Sequence, residues 1–225
     1  MLSSSGNIYP DKRHKNPESL RANLKLSMPS HVHPVLNKFK GMAMDSADKL
    51  SKITISLHWI TAIIIMALCA VGLYMTRAEA WALYPVHKSV GVLVLFVALL
   101  RVFWRIKNGW PAAAADYTQL EQRLAKIIKW VLIIATLALP MTGMLFSGAS
   151  GHGFGIFGLV IVPAQHMPGN PDQVLAYSEF WAEAGEALHQ ATAYVLIAAI
   201  LLHLAGAFKH HFIDKDATLK RMLGK

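Results

Sequence analysis

Four apolar runs, Ile53–Thr76, Tyr84–Ile106, Ala125–Phe146 and Ala182–Phe208, constrain this chain more than any other feature. Each reaches the roughly 20 residues that a helix needs to cross about 30 Å of hydrocarbon. Lipid offers backbone groups no partner, so runs of this kind fold as helices that satisfy their own N–H and C=O groups. With 54% of the 225 residues hydrophobic and only 16% charged, the expected fold class is all-α, an integral membrane four-helix bundle. Pro140 falls late in the third run, where it bends a membrane helix without ending it.

The fourth run sits in the segment GEALHQATAYVLIAAILLHLAGAFKHH, Gly185 to His211, which carries His189 and His203 fourteen residues apart. Fourteen residues are close to four helical turns, so both imidazoles leave one face, about 21 Å apart along the axis. One histidine then lies near each membrane surface. Ionisable side chains at membrane depth are costly and mark a ligand site or pathway. Two on one stripe, one per leaflet, point to two stacked cofactors.

Orientation follows from the basic residues. Nine Lys and Arg precede the first run up to Lys52, six lie between Arg101 and Lys129, and five follow from Lys209. Only Arg77 and Lys88 fall on the other side, and the Ser147–Gly185 connection has none. Both termini are therefore expected in the cytoplasm. The formal charge of +9 follows from this topology rather than from a nucleic-acid partner. Residues 1–50 have scattered charge, proline and no apolar period; they read as a polar, disordered extension preceding a transmembrane domain at 51–225. They lack the apolar core of a signal peptide, and Met42 or Met44 is a candidate start of the functional part. His14, His31 and His33 belong to this solvated tail. Between the third and fourth runs, Ile156–Val162 is too short to span and is expected to lie on the outer surface or cap the bundle. His152 and His166 of that loop read as exposed histidines.

On this topology His58 and His203 share the cytoplasmic half, and His87 and His189 the periplasmic half. Each pair offers two imidazoles from different helices, the arrangement that clamps a haem iron from both faces. Zinc asks for three or four ligands and fits less well. The sole cysteine, Cys69, rules out a cysteine-ligated iron–sulfur cluster, c-type haem attachment and an intramolecular disulfide. The third helix has no histidine and is expected to serve as a wall. Arg101, Arg105 and Lys209 at the inner surface and Lys88 at the outer are candidate partners for haem propionates, although snorkelling explains them equally well. Gly72, Gly91, Gly143 and Gly206 suit either a close porphyrin or close helix packing. Trp59, Trp81, Trp104, Trp110 and Trp181 fit an aromatic belt.

The motifs ISLHW at His58, VHKSVG at His87, LHQATAY at His189 and the closing LHLAGAFKHHFIDKDATLKRMLGK from His203 resemble the bacterial cytochrome b561 family in order and spacing, from about Asp45 to Lys225. The resemblance implies a bundle of the inner membrane holding two haem b, with His58, His87, His189 and His203 as axial ligands. It also implies electron exchange with ubiquinone and, for some members, superoxide as periplasmic donor, a superoxide:ubiquinone oxidoreductase activity. The alternative is a membrane-anchor subunit that relays electrons from a partner dehydrogenase or hydrogenase. Quinone reduction consumes two protons, so its site needs a titratable donor near a haem. His210, helped by His211, is the candidate: seven residues beyond His203, it shares that face about 10 Å nearer the cytoplasmic surface.

Overall fold

The computed structural model describes Asp45, residues 49–111, Ala115 and residues 117–225. Expectations for His14, His31, His33, Met42, Met44 and most of the N-terminal extension lie outside the described residues. The described chain runs α1 (Lys52–Ala78), a short 3-10 turn (Trp81–Leu83), α2 (Tyr84–Asn108) and α3 (Gln119–Ala149). Strands β1 (Phe154–Ile156), β2 (Leu159–Val162), β3 (His166–Met167) and β4 (Asn170–Val174) follow. Then come α4 (Glu179–Phe208), a π-turn (Lys209–Ile213) and α5 (Thr218–Met222). Four helices are long and apolar enough to cross a membrane, and they form a membrane four-helix bundle.

The helices outrun the apolar runs because polar caps extend them into the interface. Ser51 caps α1 through the Thr54 N–H, and Pro85 opens α2, where a missing N–H costs nothing. Thr118 and Glu121 form a reciprocal capping box that starts α3 six residues before the apolar run. Glu121 and Arg123 occupy those added turns, which hides them from a hydropathy reading.

The connection after α3, expected to lie on the outer surface or cap the bundle, folds into two antiparallel hairpins. Phe157 at φ 44° and Gly158 at φ 95° make the tight β1–β2 turn, the type whose two positive φ values match the twist of paired strands. The expected Ile156–Val162 segment is therefore a hairpin packed through β1 on α2. It is pinned there by side chains. Phe157 N–H donates to Ser89 Oγ at 3.0 Å, while Ser147 Oγ and Lys88 Nζ both donate to Gly153 O, at 2.6 and 2.9 Å.

Along the bundle α3 packs extensively on α4, α1 on α2 and α2 on α3, whereas close backbone approaches between α4 and either α1 or α2 are sparse. Gly185 allows the tight α3–α4 contact: a Cβ there would lie 2.7 Å from Phe146 N and 2.8 Å from its Cα. Within the core Ile65, Val94, Ala135, Leu139 and Leu196 pack together as one aliphatic layer, with Leu196 wholly buried. Outward-facing Phe96, Phe103, Ile134 and Leu201 are exposed, as lipid-facing side chains should be.

Candidate cofactor site

The loosely approached side of α4 is the side that carries His189 and His203. At the end bearing the chain's C-terminus, the rings of His58 on α1 and His203 on α4 stand 6.5 Å apart between centroids, inclined at 63°. At the hairpin end, His87 on α2 and His189 on α4 are also 6.5 Å apart, inclined at 85°. A metal between two imidazole nitrogens at about 2.0 Å from each separates the ring centroids by about 6 Å. Both pairs have the spacing of a two-faced clamp.

The polar surroundings of the two pairs differ. His189 Nδ1 is 2.9 Å from Leu139 O, which can only accept, so Nδ1 carries the proton and Nε2 keeps its lone pair for a metal. Helix α3 is thus more than a wall, because it fixes the tautomer of His189 through a backbone carbonyl. Its Gly143 leaves room for that ring: a Cβ there would lie 2.9 Å from His189 Cε1. His87 Nδ1 is buried with no hydrogen-bond partner among the described residues. Leaving a buried polar atom unpaired is costly, so a group bound between these helices is the natural complement of that site.

At the other pair, Arg101 Nη2 donates to His58 Nδ1 at 2.8 Å. A guanidinium cannot accept, so here the lone pair sits on Nδ1. Presenting Nε2 to a metal requires His58 to give up that arrangement, and Arg101 is then available to an anion. Around Gly91 and Gly206 an added Cβ would meet nothing within 4 Å, and beside Gly72 it would meet only His87 Cε1 at 3.4 Å. The residues present therefore fit haem b: two imidazole pairs at the right separation, backbone accessible at glycine, and a releasable cation.

The other three candidate partners for an anion are already engaged. Arg105 pairs with Asp45 at 2.8 Å, and Asp45 also accepts from Ser51 N–H and Thr54 Oγ1. Lys209 bridges Glu121 and Asp214, each at 2.7 Å. Lys88 holds the β1–β2 hairpin. His152 meets Ser150 Oγ at 3.1 Å, and His166 starts β3 away from both pairs.

His210 lies in the π-turn after α4, where the backbone widens beyond a simple helical repeat. Its Nδ1 is 3.0 Å from Asp214 Oδ2 and 3.0 Å from Asp216 Oδ2. Tyr117 closes the group, donating to Asp216 Oδ2 at 2.6 Å with its ring 4.7 Å from the imidazole. Burial pushes the Asp216 carboxyl up, but hydrogen bonds from Tyr117 and Thr218 and the charge of His210 outweigh it and hold it below the usual carboxylate range. Burial and the Asp216 carboxylate push the Tyr117 phenol up. His211 packs edge-on against Phe212 instead, with a buried Nδ1. Tyr117, Asp214 and Asp216 escape a search for histidine spacing. The signal that could have found the carboxylates is two aspartates close behind a histidine pair in IDKDA.

A family model described as prokaryotic cytochrome b561 matches residues 49–225. Cytochrome b561 homolog 2 of Escherichia coli K12 is 32% identical over 186 residues, 80% of this chain and 94% of that protein. The probable superoxide oxidase CybB of Yersinia pestis is 26% identical over 180 residues, 79% and 97% of the two chains. Cytochrome b561 homolog 1 of Escherichia coli K12 is 27% identical over 183 residues, 78% and 97%. A match that takes in all four spanning helices and both histidine pairs leaves one conclusion: the chain belongs to the prokaryotic cytochrome b561 family of haem b-binding membrane electron-transfer proteins.

Proposed function

We propose that the chain holds two b-type haems in the bacterial inner membrane and passes electrons from a periplasmic donor to ubiquinone. The observation that carries this reading is the pair of 6.5 Å imidazole clamps, one at each end of the same helix. His58 and His203 hold the haem toward the cytoplasm, and His87 and His189 the one toward the periplasm, with both chain termini cytoplasmic. Haem b supplies a one-electron iron couple whose potential follows axial ligation and burial. The protein fixes that ligation: Leu139 O orients His189, and Arg101 gives up His58 and turns to an anion. Ile65, Val94 and Leu196 exclude water between the two levels. The name of the Yersinia pestis relative points to superoxide as the donor for that protein.

Turning a quinone into quinol takes two electrons and two protons, so the donor end must deliver twice per turnover. His210 supplies protons on the cytoplasmic side; Asp214 and Asp216 face its Nδ1, which leaves the Nε2 edge to meet the quinone, with His211 alongside. The first test is a reduced-minus-oxidised spectrum with a haem-to-protein ratio. Two haems per chain are expected, with His58→Ala or His203→Ala removing the inner one and His87→Ala or His189→Ala the outer. Four single variants that all retain two haems would overturn the ligand assignment. His210→Ala should keep both haems yet slow their reoxidation by ubiquinone. An unimpaired variant moves the quinone to the hairpin end, where Met144, Leu145, Tyr177 and Trp181 line an apolar groove of about 540 Å³.

A further inference from the structure

The hairpin end of the bundle is acidic. From Arg77 to Lys88 and from Ser147 to Glu186 the chain has five carboxylates, Glu79, Asp172, Glu179, Glu183 and Glu186, against two cations, Arg77 and Lys88, a formal charge of −3. All five carboxylates are exposed. Among the described residues none of them forms an ion pair. Glu179, Glu183 and Glu186 follow one another at helical spacing down one face of α4, and Glu186 stands three residues before His189.

The cation nearest the outer histidine pair does not offset this. Lys88 follows His87 directly, but its Nζ donates to Gly153 O at 2.9 Å and reaches His152 O at 3.5 Å. It is half-buried beneath the hairpin and anchors it, instead of standing open to an arriving anion. The remaining cation, Arg77, is outnumbered.

We infer that this face takes electrons from a cationic one-electron donor and selects against anionic donors, superoxide included. The inference rests on reading the His87–His189 level as the point of entry. At that level one electron leaves the donor, whose charge rises by one, and enters the bundle; no bond breaks and no proton moves. A surface field of one sign changes encounter rates with charged partners by about tenfold or more, and salt suppresses the effect. The Debye length falls from about 30 Å at 0.01 M to about 8 Å at 0.15 M. The sign of the salt dependence therefore reads the charge of this face directly.

The test uses the haem-loaded full chain in proteoliposomes that enclose its C-terminus, with orientation checked by an impermeant label. The reduced protein is oxidised from outside by hexaammineruthenium(III) or by ferricyanide, at ionic strengths from about 0.01 to 0.15 M. The ruthenium rate should fall about tenfold with salt and the ferricyanide rate should rise. Superoxide generated outside should reduce the oxidised protein slowly, and faster as salt is added. The triple variant Glu179→Gln, Glu183→Gln, Glu186→Gln brings this end to a formal charge of zero and should flatten both slopes. A ferricyanide rate that falls with salt, or slopes unmoved in the triple variant, would overturn the inference. His87→Ala separates the two claims: if it leaves two haems per chain, the outer ligand assignment fails whatever the salt slopes do.

Discussion

Gly143→Ala is the sharpest probe of the outer histidine pair. The new methyl would stand 2.9 Å from Cε1 and 3.1 Å from Nδ1 of His189. Comfortable carbon contacts begin near about 3.5 Å, so the ring must retreat by several tenths of an ångström. It cannot do so freely, because the crowded edge is the edge whose Nδ1–H donates to Leu139 O at 2.9 Å. Loss of that bond costs about 1 kcal/mol, and overpacking adds about 1–3 kcal/mol. If the sum of about 2–4 kcal/mol falls on the metal-bound geometry, affinity for the outer haem drops by at least about thirtyfold. The assay is titration of haem into the purified apoprotein, with the haem-to-protein ratio read beside it. The inner haem, assigned by the proposal to His58 and His203, should titrate as in the parent. An outer haem that binds Gly143→Ala as tightly as the parent would refute both the clamp and the role given to α3.

Leu196→Ala removes a wholly buried side chain from the aliphatic layer and should cost about 2–5 kcal/mol, read as a lowered melting temperature in detergent. Asp45 predicts an acid dependence. Burial pushes its carboxyl up, but hydrogen bonds from Ser51 N–H, Thr54 and Arg105, with the charge of Arg105, outweigh this and hold it below its ordinary value of 3.8. A carboxyl depressed in the fold contributes stability above its unfolded value and loses it as pH falls through the folded one. Melting temperatures between about pH 6 and pH 3 should therefore fall more steeply for the parent than for Asp45→Asn. The division of Lys and Arg predicts that a C-terminal fusion is active only with cytoplasmic reporters, and activity of a periplasmic reporter there contradicts the topology.

The four spans and the four membrane histidines were legible because both signals are periodic and local. An apolar run of about 20 residues and a fourteen-residue repeat need no knowledge of distant partners. The hairpins were harder to see: strands of two to five residues give too few alternations to stand out, although the dipeptides Phe157–Gly158 and Pro168–Gly169 mark the turns. The contacts that tune the site were illegible for a different reason. Arg101 reaches His58 across 43 residues, Leu139 meets His189 across 50, and Tyr117 meets Asp216 across 99. Nothing in a local pattern says which arginine will find a histidine nitrogen, or which backbone carbonyl will set a tautomer. Lys209 and Lys88 show the converse. Each is a plausible anion partner by position, and each is committed elsewhere by a fold that places carboxylates or carbonyl oxygens beside it.

The placement of the core ties these observations together. Ile65 stands seven residues after His58, Val94 seven after His87, and Leu196 seven from both His189 and His203. Seven residues are nearly two turns, so the core layer rides on the same stripes as the histidines, about 10 Å from each level. A bundle that buried its histidine stripe against a continuous aliphatic seam would close α4 onto α1 and α2. Here the aliphatic cluster that joins the four helices lies between the two histidine levels, and the close approaches of α4 to α1 and α2 are sparse. The layer separates the two levels by distance alone, about 21 Å along the axis, since charge in a dry, weakly polarisable medium is poorly screened. One end lies beside the basic segment from Lys209 to Lys225 and the other beside the acidic hairpin surface. Leu139 couples the two tasks: its side chain completes the layer while its carbonyl orients His189, so a substitution that repacks the core beneath it should reach the outer clamp before the inner one.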